Sequence, residues 1–154
     1  MIQYAFADGS TLTITDAVED HFLRHRQMKW LSREAGGQLF ASINGSDVLV
    51  EEATGPRKTD RRGRWHYVPD RTLENAEIAE RYEQGLHFVG DWHTHPQDIP
   101  SPSNRDISSI RDCVKQSQHN LHGFILIIVG RLAPPTGFHV LLHDGVFARI
   151  LAPL

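Results

Sequence analysis

Short runs in which apolar and polar residues alternate, or which are apolar throughout, recur along the whole chain. Several are joined by the turn pairs Asp8-Gly9, Asn44-Gly45 and Asp144-Gly145, which are typical of β-hairpins. The opening residues therefore predict a hairpin around Asp8-Gly9. Further strands are predicted at residues 37–43, 48–53, 86–95, 123–129, 137–142 and 146–151.

Helical signals separate these strands. The predicted helices run from Thr15 or Asp16 to about residue 28, from about 72 to 84, and from Ser103 to about 117. Glu19 is placed to complete a capping box in the first of them. Because strands and helices do not alternate strictly, the pattern predicts an α+β fold with a single, mostly antiparallel sheet flanked by helices.

Composition narrows the class of protein. The 154 residues, of which 40% are hydrophobic and 23% charged, predict one globular domain over residues 1–154. A net charge of −3 argues against nucleic acid as the main partner. The N-terminus lacks a signal-peptide pattern and the longest apolar run, residues 124–129, is too short for a membrane, so we expect a cytoplasmic protein without a membrane partner.

The stretch from Gly90 to Asp106, GDWHTHPQDIPSPSNRD, carries the candidate chemistry. On a strand, His93 and His95 lie on the same face, about 6–7 Å apart along the chain, so both can reach one ion. Asp106 falls in the first turn of the following helix and can supply a third ligand. A catalytic zinc site takes three such ligands and leaves the fourth position to water.

Less specific interpretations of the same residues exist. Ser103 and Asp106 have the spacing of a capping box, in which both side chains only satisfy amides at the start of the helix. A His-Thr-His triplet alone is more often structural than catalytic. The combination of two histidines on one face with an aspartate at the next helix start favours the metal.

Metal-assisted hydrolysis also needs a group that moves a proton. Glu34 is the candidate base, because it precedes a strand that begins with Gly36 and Gly37. We expect the two glycines to leave room for a substrate backbone beside the carboxylate. The residues alone support this assignment weakly, since the chain contains 19 acidic residues.

Glu34, the His93-Thr94-His95 triplet, Ser103 and Asp106 together resemble, at every spacing, the JAMM motif of the JAB/MPN zinc metalloproteases. The resemblance extends to the order of predicted elements and implies the MPN fold, which is cytidine-deaminase-like. It implies one Zn²⁺ per chain bound by His93, His95 and Asp106, with Glu34 as acid and base. It also implies that Ser103 stabilises the oxyanion.

Within the family, the chain resembles the stand-alone bacterial JAB peptidases of anti-phage systems of the CBASS type. This implies a deubiquitinase-like peptidase or isopeptidase that cleaves after the C-terminus of a ubiquitin-like modifier or in its conjugates. E1- and E2-like proteins of the same system are the further partners implied. Two alternatives stay open: a non-catalytic MPN binding or scaffold module, and processing of sulfur-carrier precursors by the same zinc centre.

The remaining candidates are assigned structural roles. His21 and His25 lie one helical turn apart, but Phe22 stands where a zincin has its glutamate, so both are expected on a helix surface. Cys113 is expected to be a small buried residue. Because it is the only cysteine, the paired-cysteine zinc site of a deaminase cannot form. The other histidines lack a partner at ligand spacing: His66, His87, His119, His122, His139 and His143.

Two further expectations concern packing around the site. Trp92 and Phe88 are expected to share the core face of the histidine strand. The segment 55–64, GPRKTDRRGR, has five basic residues in ten and is expected to be a solvated loop. The alternatives are contact with an acidic partner surface or, less favoured, with nucleic acid.

Overall fold

The computed structural model describes residues 1–117, 119 and 121–154. In this part of the chain the helices are α1 (Asp16–Arg24), α2 (Arg71–Glu83) and α3 (Asn104–Gln116). The strands are β1 (Ile2–Ala5), β2 (Thr11–Ile14), β3 (Gly36–Asn44), β4 (Asp47–Ala53), β5 (Arg61–Arg62), β6 (Tyr67–Val68), β7 (His87–Thr94), β8 (Phe124–Val129), β9 (Phe138–His143) and β10 (Ala148–Ile150).

Eight strands form one sheet in the order β1-β2-β4-β3-β7-β8-β9-β10. The pairs β2–β4 and β7–β8 are parallel and the other neighbours are antiparallel. The sheet curls until the end of the chain meets β1, where the amide of Ala5 donates to the carbonyl of Ala152 at 3.2 Å and Tyr4 forms a bridge with Pro153. The predicted α+β class with a mostly antiparallel sheet is confirmed.

The two faces of the curled sheet bury different helices. On the inner face, Val18 and Phe22 of α1 pack into an apolar cluster to which every strand from β1 to β4 and from β7 to β9 contributes. On the outer face, Ile110 and Val114 of α3 pack on side chains of β8 and β9. Apolar burial therefore holds α3, and with it the start of that helix, against the strands next to β7.

α1 is shorter than predicted, and its N-terminal cap differs. The helix ends at Arg24 rather than near residue 28, and the Thr15 side chain makes no cap hydrogen bond. Glu19 lies instead 3.6 Å from the amino group of Met1, so an ion pair replaces the predicted capping box. Residues 26–35 consequently form an irregular connection that leads to β3.

A bulge in β7 overturns the expectation that Trp92 and Phe88 share a face. Leu39 pairs with Gly90 but Phe40 pairs with Phe88, so Val89 is an extra residue in the strand. Trp92 packs in the inner cluster, whereas Phe88 packs on the outer one. One inserted residue reverses the alternation of side chains, which periodicity alone does not reveal.

The expectation of a solvated loop over 55–64 is also wrong. Arg61 and Arg62 form β5, which pairs with β6 in a separate hairpin. The Arg57 side chain is only 7% exposed, and its Nε donates to Oε1 of Glu77 in α2 at 3.0 Å. The hydroxyl of Tyr67 donates to Asp60 at 2.7 Å. These contacts fix the hairpin, residues 61–68, as one wall beside the start of β3.

No helix among the described residues is long and apolar enough to cross a membrane.

Candidate metal centre

The two histidines stand at the end of β7, as predicted, and their imidazoles converge. His93 pairs with Gly36 of β3, and the amide of His95 donates to the carbonyl of Val129 at 3.0 Å. The two Nε2 atoms lie 3.2 Å apart. Neighbouring strands thus fix the backbone of both residues, β3 at His93 and β8 at His95. The approach of the two rings then depends only on their side-chain torsion angles.

Asp106 completes the cluster from the first turn of α3. Its Oδ1 lies 3.2 Å from Nε2 of His93, and its Oδ2 lies 3.3 Å from Nε2 of His95. The capping box is present as well: the amide of Ser103 donates to Oδ2 of Asp106 at 2.8 Å, and the amide of Asp106 donates to the Ser103 hydroxyl at 3.1 Å. The two interpretations of this motif are therefore compatible, since the cap orients the same carboxylate that faces the histidines.

The charge of Asp106 and the charges of the two histidines stabilise one another. Burial opposes ionisation of Asp106, but hydrogen bonds from His93 and His95 outweigh it and hold the pKa of the carboxyl well below its usual range. Burial would lower the pKa of His95, yet the contact with Asp106 raises it overall. The carboxylate stays ionised in an almost buried pocket, which is the charge state that a cation requires of a ligand.

Glu34 faces the same cluster from the opposite wall. It is 6% exposed, and its Oε1 lies 3.9 Å from Nε2 of His93 and 3.8 Å from Nε2 of His95. Burial raises the pKa of this carboxyl, while the two histidines lower it in part. The hairpin sets its position, because the Glu34 amide donates to the carbonyl of Gly63 at 2.6 Å and Nε of Arg62 donates to the carbonyl of Glu34 at 2.7 Å.

Two sets of three ligand atoms are geometrically possible here. Glu34, His93 and His95 have ligand atoms within 4.8 Å of one another. In the set of His93, His95 and Asp106, the two Nε2 atoms are 3.2 Å apart, and a different carboxylate oxygen of Asp106 lies 3.2–3.3 Å from each of them. Ligands about 2.0–2.1 Å from a tetrahedral ion stand roughly 3.3 Å apart. The spacing of the two Nε2 atoms, and of each from Asp106, suits such an ion, and Glu34 lies slightly farther from both histidines.

Sequence inspection missed the side chains that lock the two walls together. Thr94, between the two histidines, accepts from the amide of Ala35 at 2.9 Å and donates to Oε1 of the buried Gln27 at 2.9 Å. The amide group of Gln27 in turn donates to the carbonyls of Ser32 and Arg64. Thr94 could have been predicted to point inward, because on a strand the residue between two histidines faces the side opposite to theirs. Nothing in the local sequence indicates Gln27.

Gln97 was missed too, and it fixes the orientation of one histidine. Nδ1 of His95 donates to Oε1 of Gln97 at 3.1 Å, and the amide of Ser101 donates to the same oxygen at 3.2 Å. With its proton held on Nδ1 by Gln97, His95 can release the Nε2 proton that it shares with Asp106 and offer that lone pair to an ion, as metal-ligating histidines do.

Close packing by neighbouring segments leaves little room beside the glycine pair, although Gly37 lines open space. A Cβ on Gly36 would lie 2.8 Å from the ring of Tyr67, and one on Gly37 would lie 1.7 Å from the backbone oxygen of Thr54. Both glycines instead let the hairpin and the end of β4 approach β3. The open space is a groove of about 480 Å³ between residues 65–69 and the start of α3, and Glu34, Gly37, Asp91 and the histidines contribute to its wall.

The remaining candidates have other environments. His21 and His25 are half-buried rather than on the surface: Nε2 of His21 hydrogen-bonds the carbonyl of Gly55 at 2.7 Å, and both rings pack against Trp92. Cys113 is half-buried, and burial raises the pKa of its thiol to about 12, which disfavours a nucleophile. Of the other histidines, His66 lines the groove.

Comparison with known proteins agrees with this fold and site. Residues 15–142 match the model of a family described as prokaryotic homologs of the JAB domain. The chain belongs to this family, and the predicted JAB/MPN resemblance is confirmed.

Curated relatives include two proteins named CD-NTase/cGAS isopeptidase. The one from Pseudomonas aeruginosa is 32% identical over 137 residues, which are 86% of each chain. The one from Vibrio cholerae is 30% identical over 135 residues, which are 84% of each chain.

Solved structures show the same fold at lower identity. A protein from Desulfitobacterium hafniense superposes with a TM-score of 0.65 at 20% identity, covering 90% of this chain and 88% of its own. A JAB1/MPN domain protein from Archaeoglobus fulgidus gives a TM-score of 0.51 at 14% identity, covering 87% of this chain and 90% of its own.

Proposed function

We propose that this chain is a single-domain, zinc-dependent isopeptidase that acts on conjugates of a CD-NTase/cGAS protein. The observation that carries the proposal is the tight set of His93, His95 and Asp106 with a second, buried carboxylate, Glu34, beside it. The names of the curated relatives supply the substrate class. The resemblance to peptidases of anti-phage systems supports a role in bacterial antiviral defence, beside E1- and E2-like proteins.

Zinc is the ion that the donor set fits best. Two imidazoles and one carboxylate are a common zinc ligand set, although other divalent ions accept the same donors. Held by His93, His95 and Asp106, the ion would acidify and polarise a bound water.

Glu34 is the group that moves protons in this proposal. Its Oε1 faces the space between the two Nε2 atoms, where it accepts the proton of the attacking water. It then donates that proton to the departing amine, so that a lysine side chain leaves neutral. A carboxyl whose pKa is raised by burial is suited to both roles, because it gives the proton up less readily to solvent.

The Ser103 hydroxyl caps α3 and, in this proposal, also contacts the oxyanion. Its oxygen accepts from the amide of Asp106, and this leaves the O–H free as a donor at the exposed edge of the groove. There it stabilises the oxyanion that forms as water adds to the scissile carbonyl. The cap contact holds the hydroxyl next to the ligands without consuming its proton.

The groove has the shape for the tail of a modifier. Residues 65–69 of the hairpin form one wall, and the start of α3 forms the other. An extended C-terminal tail, of a ubiquitin-like modifier or of the conjugated protein itself, fits between them and adds as a strand beside β6.

The experiment compares wild-type protein with Glu34→Gln on a purified isopeptide conjugate of the CD-NTase/cGAS protein. We expect kcat to fall by about 10²–10⁴-fold while roughly one zinc per chain is retained. Glu51→Gln, which changes an exposed carboxylate on β4, is the matched control and should cleave like wild type. A Glu34→Gln variant with full activity would refute the base, and metal-loaded wild type without hydrolysis would favour the scaffold alternative.

A further inference from the structure

An exposed apolar surface stands directly beside the groove. It consists of Met28, Trp30 and Leu31 from the connection between α1 and β3, together with Trp65 from the turn of the hairpin; we call these four residues the tryptophan patch. Trp30, Leu31 and Trp65 are 76%, 87% and 69% exposed. Such large side chains in one exposed group mark an interaction site more often than chance solvent exposure.

Two kinds of contact hold the patch in place. The guanidinium of Arg64 lies 4.2 Å from the ring centre of Trp30 and 5.4 Å from that of Trp65, so one cation bridges both indoles. The turn below Trp30 is closed by a hydrogen bond from the Ser32 amide to the carbonyl of Lys29 at 3.0 Å. Side chains ordered in advance lose little entropy when a partner binds, which raises affinity.

A second group of hydrogen bonds, made by Gln27, connects the patch to the metal centre. Gln27 donates to the carbonyls of Ser32 and Arg64, one on each side of the patch, and accepts from Thr94 between the two histidines. Trp65 also lines the groove that ends at the histidines. A protein seated on the patch is therefore positioned relative to the site of cleavage.

Charge indicates what kind of protein fits. The segments 28–33 and 61–65 contain five basic residues and no acidic one. Three of the basic residues are exposed, namely Lys29, Arg33 and Arg61, and a fourth, Arg64, lies against both indoles. Tryptophan surrounded by basic residues suits an apolar face with an acidic rim.

We infer that the tryptophan patch is the docking surface for the folded body of the CD-NTase/cGAS protein whose conjugate is cleaved in the adjoining groove. The inference rests on the proposed function, which supplies this occupant. An extended tail of a few residues carries little information about its owner. Recognition of one particular conjugated protein requires a second contact, and the patch is continuous with the groove that receives the tail.

The test measures binding of the CD-NTase/cGAS protein from the same genome to this chain, metal-loaded and carrying Glu34→Gln so that nothing is hydrolysed. Biolayer interferometry should show a dissociation constant at least about tenfold weaker with Trp30→Ala plus Leu31→Ala, and with Trp65→Ala. Lys29→Glu, a surface change without apolar loss, should weaken binding more at low than at high salt. Val146→Ala plus Phe147→Ala, an equally exposed apolar pair on the β9–β10 turn, is the matched control and should bind normally.

Three results would overturn the inference: no measurable binding by the unmutated patch, equal binding by patch variants and control, or a wild-type dimer that the patch variants abolish. Sedimentation velocity detects the last, in which a second copy of this chain covers the patch. Cleavage of the conjugate by the wild-type chain is recorded separately. Binding that depends on the patch, without cleavage, would reject the proposed hydrolysis but keep the docking surface. Cleavage without patch-dependent binding would reject the docking surface but keep the proposed hydrolysis.

Discussion

The two walls of the groove are built in different ways. The ligand wall consists of His93 and His95 at the end of β7 and Asp106 at the start of α3, so its three candidate ligands lie within fourteen residues of sequence. The base wall places Glu34 through an irregular connection, a two-residue β-pair and the buried hub of Gln27 and Thr94. Regular local structure thus fixes the candidate metal ligands, whereas long-range polar contacts fix the candidate base.

This difference has an energetic consequence. The stability of the ligand wall comes from strand pairing and apolar burial, and it is spread over many weak contacts. The base wall depends on a few buried hydrogen bonds, and loss of one leaves its partner unsatisfied. Substitutions should therefore separate metal binding from proton transfer.

The largest expected effect comes from breaking the ligand wall at Asp106. Asp106→Ala removes both the carboxylate that faces the histidines and the acceptor of the capping box. We expect metal content, measured by plasma mass spectrometry, to fall from about one ion per chain towards zero, and cleavage to be lost with it.

Ser103→Ala is the matched control for that variant, because it removes the cap and keeps the ligand. It should lower the free energy of unfolding by about 0.5–2 kcal/mol and retain the metal. If Ser103→Ala lost as much metal as Asp106→Ala, the cap rather than the carboxylate would be the feature that matters.

An intermediate effect is expected from the base wall at Thr94. Thr94→Val keeps the shape of the side chain but leaves Oε1 of Gln27 and the amide of Ala35 without their partner. Unfolding in urea should show a loss of about 1–3 kcal/mol. The metal should stay bound while kcat falls more than KM rises, since Glu34 adjoins Ala35 and moves with it.

Thr94→Ser restores the hydroxyl and should recover most of kcat. A Thr94→Val protein that kept full kcat despite its lower stability would show that the hub is only structural. Loss of metal in Thr94→Val would contradict the separation of the two walls.

The contrast between the walls also explains how far the sequence could be interpreted. Hairpin turn pairs and the Ser103 cap are local signals, so most strands and the position of Asp106 could be predicted from neighbouring residues. The JAMM spacing indicated Glu34 before its surroundings could be known. Its proximity to the histidines agrees with that interpretation.

The rest depends on contacts between distant segments. Arg57 becomes buried because Glu77 and Asp60 compensate its charge, and composition counts it only as one more basic residue. Gly36 is needed for the ring of Tyr67, which lies thirty-one residues further along the chain. The bulge at Val89 is likewise set by pairing with β3 rather than by the sequence of β7.

Within the ligand wall, the change at Gln97 should have a milder effect than the changes at Asp106 and Thr94. Gln97→Ala removes the acceptor of Nδ1 of His95 but none of the proposed ligands. Because the partner of a ligating imidazole sets its tautomer and direction, metal affinity should fall by about 10–100-fold, as measured by competition with a zinc chelator. With zinc in excess, kcat should return to near the wild-type value, since Glu34 and its hub are untouched. A kcat that stayed low at saturating zinc would mean that Gln97 also positions the substrate, and the two walls would then share this residue.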